Sequence, residues 1–162
     1  MLLSRMNENT KRLLTIVVAV LTMTAGTFGL TSKEAKADGL YCGYWVLGLI
    51  EAKYLQKGGL GGPLGCPTSN ELSNPGSTGK RSEFGNRGIV YWKNYAPAAH
   101  PVWGVILISW GQVGYEAGIF RYPINDEYIA EYSNGQPIFQ QNFECGYIRA
   151  FNVFSTRFYT CV

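Results

Sequence analysis

Val46-Leu47-Gly48-Leu49-Ile50 and, 56 residues further on, Val102-Trp103-Gly104-Val105-Ile106 are the stretches from which the fold is read. Sliding the chain against itself at that offset lays Tyr54 on Trp110, Gly58 on Gly114, Pro67 on Pro123, Glu71 on Glu127 and Gly79 on Gly135. Beyond this point the offset grows to 59, with Phe84 on Phe143 and Ile89 on Ile148. An insertion within 128–141 accounts for the change. Recurrence at this spacing marks two copies of one structural unit.

Each unit reads as one short helix followed by a small hairpin. Ile50, Lys53, Tyr54 and Lys57 follow helical spacing, with Ile50 and Tyr54 as an apolar stripe and the lysines as a wet edge. Gly58-Gly59 stops that helix, because glycine tolerates a left-handed conformation. Leu60 to Pro67, rich in Gly and Pro, is a tight loop, and the short polar side chains of Thr68-Ser69-Asn70-Glu71 bond to nearby backbone. Glu83-Phe84 and Ile89-Val90-Tyr91-Trp92, parted by Gly85 to Gly88, form the hairpin. The second unit places a helix near Val105 to Gln112, a loop to Glu127, and strands near 137–143 and 147–151. A unit this small cannot bury its apolar face alone, so its neighbour must cover it.

The first 37 residues read differently. Arg5, Lys11 and Arg12 precede an apolar run from Leu13 to Leu21, and Ala35-Lys36-Ala37 offers the small-x-small pattern of signal-peptidase cleavage. Thr22, Thr24 and Thr27 dilute the run well short of the roughly 20 apolar residues of a membrane span. Residues 1–37 are therefore expected to be a signal peptide, with 38–162 as one secreted domain. The leader carries five basic and two acidic residues, which leaves nine of each afterwards. The basic balance belongs to the leader, and Lys80-Arg81 is the only adjacent basic pair beyond it, so nucleic acid is excluded as a partner. Four cysteines, Cys42, Cys66, Cys145 and Cys161, imply two disulfides in an exported chain, with three pairings open. Their spacing does not suit zinc.

The first copy resembles the LGFP repeat of exported actinobacterial proteins. It carries Ile50, Tyr54, Gly58-Gly59, Leu64-Gly65-Cys66-Pro67-Thr68-Ser69, Phe84, Gly88, Val90-Tyr91-Trp92 and His100-Pro101-Val102-Trp103-Gly104. The second copy keeps Trp110, Gly114, Pro123, Asp126-Glu127, Phe143, Gly146 and Ile148, but has Tyr115 for the second glycine and Phe120-Arg121-Tyr122 for Leu-Gly-Cys. The resemblance implies a cell-wall-associated module in contact with envelope polysaccharide, of the kind often appended to mycolyltransferases or wall hydrolases. It also implies a ring of about five units. Two units without a catalytic domain depart from that pattern, and self-association would be one way to complete a ring.

The sequence offers little for catalysis. His100 is the only histidine, with no nucleophile elbow near it, and it belongs to the repeat pattern. Asp126-Glu127 and Glu71 recur because the loop recurs. Sugars are recognised by aromatic faces and polar groups around them. Tyr54, Trp110, Phe84 and Phe143 recur in fixed register and are read as core. Tyr91 and Trp92 are adjacent on a strand and face opposite ways, so that one is inward and the other free. Tyr95, Tyr128 and Tyr132 lie in loops. The ligand-binding candidates are Tyr91, Trp92, Tyr95, Asn70, Glu71, Asp126, Glu127, Tyr128 and Tyr132, with no metal and no cofactor.

The expectation is an α+β fold of two tandem helix-plus-hairpin repeats, at 46–101 and 102–150, packed around one core and stapled by disulfides. A closing segment, 151–162, is expected to pair with the strand after the leader, bridging Cys42 to Cys161 and Cys66 to Cys145. The function expected is non-catalytic binding of cell-wall polysaccharide by a secreted protein retained at the wall. A small disulfide-stapled inhibitor or effector acting on a protein partner is the alternative.

Overall fold

The computed structural model describes residues 38–152 and 155–161. The expected leader, 1–37, lies outside them, as do parts of the closing segment. The chain opens with a hairpin of β1 (Asp38–Tyr41) and β2 (Tyr44–Leu47), joined by Cys42-Gly43 with φ of 50° and 88°. β2 runs directly into helix α1 (Gly48–Gln56). A four-stranded antiparallel sheet follows, ordered β3 (Leu72–Ser73), β4 (Gly79–Phe84), β5 (Gly88–Lys93), β6 (His100–Trp103). β6 in turn runs into helix α2 (Gly104–Gln112). A second four-stranded antiparallel sheet has the order β10 (Ser155–Tyr159), β9 (Gly146–Asn152), β8 (Gln136–Phe143), β7 (Tyr128–Ser133).

Both strand-to-helix junctions use glycine for the same reason. Gly48 and Gly104 have φ of 54° and 57°, a left-handed conformation that residues with a side chain rarely adopt and that lets an extended strand turn at once into a helix. The segments after the helices also match in detail. Thr68 N–H donates to Glu83 O, Gly85 N–H to Cys66 O and Asn86 N–H to Leu64 O. Ile124 N–H donates to Asn142 O, Glu144 N–H to Tyr122 O and Cys145 N–H to Phe120 O. The same ladder thus recurs at offset 56 on one side and 59 on the other, with bridges Pro67–Phe84 and Pro123–Phe143 beside it.

The first sheet is packed on both faces, because alternation sends its side chains to two different helices. Val90 and Phe84 join Val46, Ile50, Tyr54, Leu64 and Ala99 around α1. Tyr91 and Val102 join Ile106, Trp110, Phe120, Phe143 and Ile148 around α2. The layers therefore run β1–β2 hairpin, α1, first sheet, α2, second sheet. Two cores replace the single one expected. For the same reason neither Tyr91 nor Trp92 is free: Tyr91 is 3% exposed, and Trp92 packs toward α1 with Nε1 donating to Ala96 O at 2.9 Å. Tyr54 stacks on Phe84 at 4.9 Å, and Trp110 lies 5.1 Å from Phe143, so these four are core as read from the sequence.

Three expectations change at the ends. The insertion in 128–141 forms β7 and the start of β8, joined by Asn134-Gly135 with φ of 50° and 76°. The two ends do not pair: β1 pairs with β2, and β10 with β9. The disulfides accordingly join Cys42 to Cys66 and Cys145 to Cys161, with Cα separations of 5.9 and 5.0 Å, rather than crossing between ends. Each hairpin turn or strand end is tied to the loop beside it, because that is the neighbour its own short connection brings near.

Non-reducing peptide mapping is expected to recover Cys42–Cys66 and Cys145–Cys161. Replacing the first pair by serine should cost about 3 kcal/mol in chemical denaturation, given the length of the loop it closes. Trp110→Ala should cost about 3–5 kcal/mol as a buried aromatic deletion. Trp110→Phe, which removes a buried indole N–H that has no acceptor among the described residues, should cost only about 1 kcal/mol.

Candidate functional site

The densest group of charged side chains forms beside β6, the edge strand of the first sheet. The segment before β7 is zipped along β8: Asn125 Oδ1 accepts from Asn142 N–H at 2.8 Å, and Gln141 Nε2 donates to Asn125 O and Pro101 O, both at 2.9 Å. This fixes Asp126-Glu127 against α1 and β6. Lys53 of α1 and Lys57, which caps the C-terminal end of that helix, reach Asp126 Oδ2 at 2.9 and 2.8 Å. His100 Nδ1 lies 2.8 Å from Asp126 Oδ1. Trp103 Nε1 donates to Glu127 Oε1 at 3.2 Å, and Lys57 Nζ stands 5.6 Å from the centre of the Trp103 ring.

The two carboxylates titrate in opposite directions. Burial alone would raise the Asp126 pKa, but hydrogen bonds from His100, Lys57 and Lys53 reverse it and hold the carboxyl well below its usual range. Burial raises that of Glu127, offset in part by the Trp103 hydrogen bond and the charge of Lys57. The lysines read as a wet edge are therefore ion-pair partners of a residue distant in sequence, 73 positions from Lys53. Among the described residues His100 bonds to this carboxylate and to no serine, threonine or cysteine. What the cluster does physically is tie the first helix to the lead-in of the second sheet.

The other candidates fall elsewhere and are not brought together. Asn70 is exposed, its Oδ1 accepting from Trp45 N–H at 2.8 Å, and Glu71 lies 3.8 Å from Lys80 Nζ. Ser69 Oγ accepts from Glu83 N–H at 3.3 Å, so the Thr68–Glu71 loop latches onto distant strands rather than onto itself. Tyr95, in the turn after β5, is 98% exposed. Tyr128 and Tyr132 belong to strand β7 rather than to a loop, and Tyr132 is 67% exposed.

Sequence reasoning passed over the second sheet's outer face. Gln141, Phe143, Ile148 and Ala150 face α2, so Gln140, Asn142, Tyr147 and Arg149 point the other way, joined across the register by Tyr128, Arg157 and Tyr159. Tyr147 and Tyr159 stack at 4.4 Å with an interplanar angle of 17°. The Arg149 guanidinium lies 5.5 and 5.9 Å from the two rings. Arg149 Nε donates to Gln140 Oε1 at 2.7 Å, and Gln140 Nε2 donates to the Tyr128 hydroxyl at 2.8 Å and to Asn142 Oδ1 at 2.7 Å. Alternating aromatic and polar residues in 147–159 were the available signal.

A family model for the LGFP repeat matches residues 64–118. The chain carries an LGFP repeat. The matched stretch opens with the loop after α1, takes in the whole first sheet and α2, and ends just past the turn that follows α2. Residues 119–150 of the expected second copy lie beyond it. The LGFP repeat points to a cell-envelope-associated repeat protein, and together with the two disulfides it is consistent with a secreted or cell-surface location. No curated protein matches the chain.

Asp126→Asn should lower stability by about 2 kcal/mol near neutral pH, as charge-assisted hydrogen bonds are lost. Because the folded-state pKa of Asp126 is depressed from its ordinary 3.8, its contribution is fully present above that value and is lost as the pH falls from there through the lower folded-state pKa. Urea titrations should therefore show the gap between wild type and Asp126→Asn closing toward acid and constant above about pH 5.

Proposed function

We propose that the protein is a non-catalytic envelope module that binds a hydroxyl-rich polymer, with the outer face of the β7–β10 sheet as its binding surface. The Tyr147–Tyr159 stack carries this reading. Pyranose and furanose rings present apolar C–H faces and demanding hydroxyls, and they suit a flat aromatic platform edged by donors and acceptors held in place. Arg149 and Asn142 supply that edge, and the buried Gln140, bonded to both, fixes their orientation before any ligand arrives.

The reading as two copies of one helix-plus-hairpin unit is part of the proposal. It is supported by the ladders that recur at offsets 56 and 59 and by Tyr54–Phe84 and Trp110–Phe143 in matching places. A non-catalytic role is supported by the way the single histidine is used. His100 is bound to a carboxylate that two lysines also hold, an arrangement suited to structure rather than to activating a nucleophile.

Retention on immobilised envelope polysaccharide, measured by affinity electrophoresis with the protein lacking 1–37, tests this reading. Wild type should be retarded, and Tyr159→Ala, checked for an unchanged melting temperature, should bind about tenfold more weakly, the loss of one stacking contact of about 1.4 kcal/mol. Absence of retardation with recovery of a tight protein partner would replace the polymer reading with that of an inhibitor or effector.

A further inference from the structure

A cleft of about 250 Å³ opens between the first sheet and the 3₁₀ turn Tyr115–Ala117 that follows α2. Arg81 and Tyr91 are register partners on β4 and β5, as are Glu83 and Ile89, so all four lie on the α2-facing side of that sheet. The turn closes the cleft with Tyr115 and Glu116. None of these residues belongs to the second sheet, so the cleft is separate from the polymer-binding face proposed above.

The charges in the cleft do not cancel. Arg81 is engaged already, its Nη1 donating to Asn74 Oδ1 at 3.0 Å and its Nε lying 3.4 Å from Glu83 Oε1. Glu116 has no such partner: among the described residues no lysine, arginine or histidine makes an ion pair with it. Its near neighbour is the Tyr91 hydroxyl, whose ionisation is suppressed by burial and then by the Glu116 charge. The Glu116 carboxylate therefore lines the cleft without an ion-pair partner among the described residues, beside a Tyr91 hydroxyl on which the Arg81 charge also acts.

The turn is also built against the preference of its backbone. Tyr115 has φ of 52°, at the place where the corresponding turn after α1 has Gly59 with φ of 57°. A bulky side chain rarely adopts that conformation, and it persists where the surroundings enforce it. Glu116 and Ala117 likewise stand where the first turn has Leu60 and Gly61. The substitutions that distinguish this turn from the first are thus the ones that wall the cleft and make it acidic.

We propose that this cleft binds a small organic cation bearing a primary ammonium group, with the ammonium on Glu116 and the carbon body against Tyr115 and Ile89. An ammonium restores the missing charge, and tyrosine faces attract it further. The volume suits a single six-membered ring or a short alkyl chain rather than a polymer.

Amide NMR titrations with D-glucosamine and with glucose, rings that differ chiefly by the ammonium group, test the proposal. Glucosamine should give saturable shifts in 114–117 and at Ile89, with glucose at least about tenfold weaker. Glu116→Gln should weaken glucosamine binding by a similar factor while leaving the remaining spectrum in place. Tyr115→Gly, which places the glycine of the first turn here, should weaken binding. A wild-type titration repeated at about 0.5 M salt, where exposed ion pairs are screened, should also lose affinity and needs no variant. Equal response to glucose, shifts confined to other parts of the protein, unchanged affinity in Glu116→Gln, or indifference to salt would each overturn the assignment.

Discussion

Trp110 holds the layers together. It is fully buried, with Tyr91 of the first sheet edge-on at 4.9 Å and Phe143 of the second sheet at 5.1 Å. Both helices have nine residues, too few to persist alone in water. Each is stable because β-structure covers it on two sides, and each sheet face is stable because a helix covers it. Tyr54 does the same work one layer earlier, between Tyr41 of the first hairpin at 5.0 Å and Phe84 at 4.9 Å.

Much of this was legible in the sequence. Ile50 with Tyr54, Ile106 with Trp110 and the change of offset from 56 to 59 located both helices, both main hairpins and the insertion. Two turns carried signals that went unread. Asn134-Gly135, the strongest short-range hairpin dipeptide, joins β7 to β8, and Cys42-Gly43 between aromatic residues joins β1 to β2. Reading the second would have made the first strand half of a local hairpin and removed the reason to pair it with the closing segment, and with it the expected cross-linking of Cys42 to Cys161. The fate of Tyr91 and Trp92 was not legible, because strand alternation gives the two faces but not how many of them a later helix will cover. Nor was the role of Lys53 and Lys57, whose partner Asp126 is brought near only by the assembled layers.

Conserved register and departure from it have separate consequences. Where the two helix-plus-hairpin stretches agree, most of the shared residues are glycines at turns and junctions and apolar or aromatic residues of the cores. Where they differ, the residues reach the surface or bind across layers. β7 extends the second sheet and adds Tyr128 to its outer face, Asp126 ties the sheet's lead-in to α1, and Tyr115-Glu116 walls the cleft. The chemistry of this protein is concentrated in what its second half does differently.

The disulfides have a mechanical consequence. Each closes a short loop, of sequence separation 24 and 16, and each lies at one end of the layered stack. From Cys66 to Cys145 no covalent cross-link intervenes. A pull applied at the two termini would leave both end loops closed and load the noncovalent middle, where Trp110, Gln141 and the Asp126 ion pairs join one layer to the next. The molecule is thus a stack with tied ends: under tension it would extend by separating its central layers, while the two closed loops limit how far the chain can lengthen and how much of it must be gathered again on release.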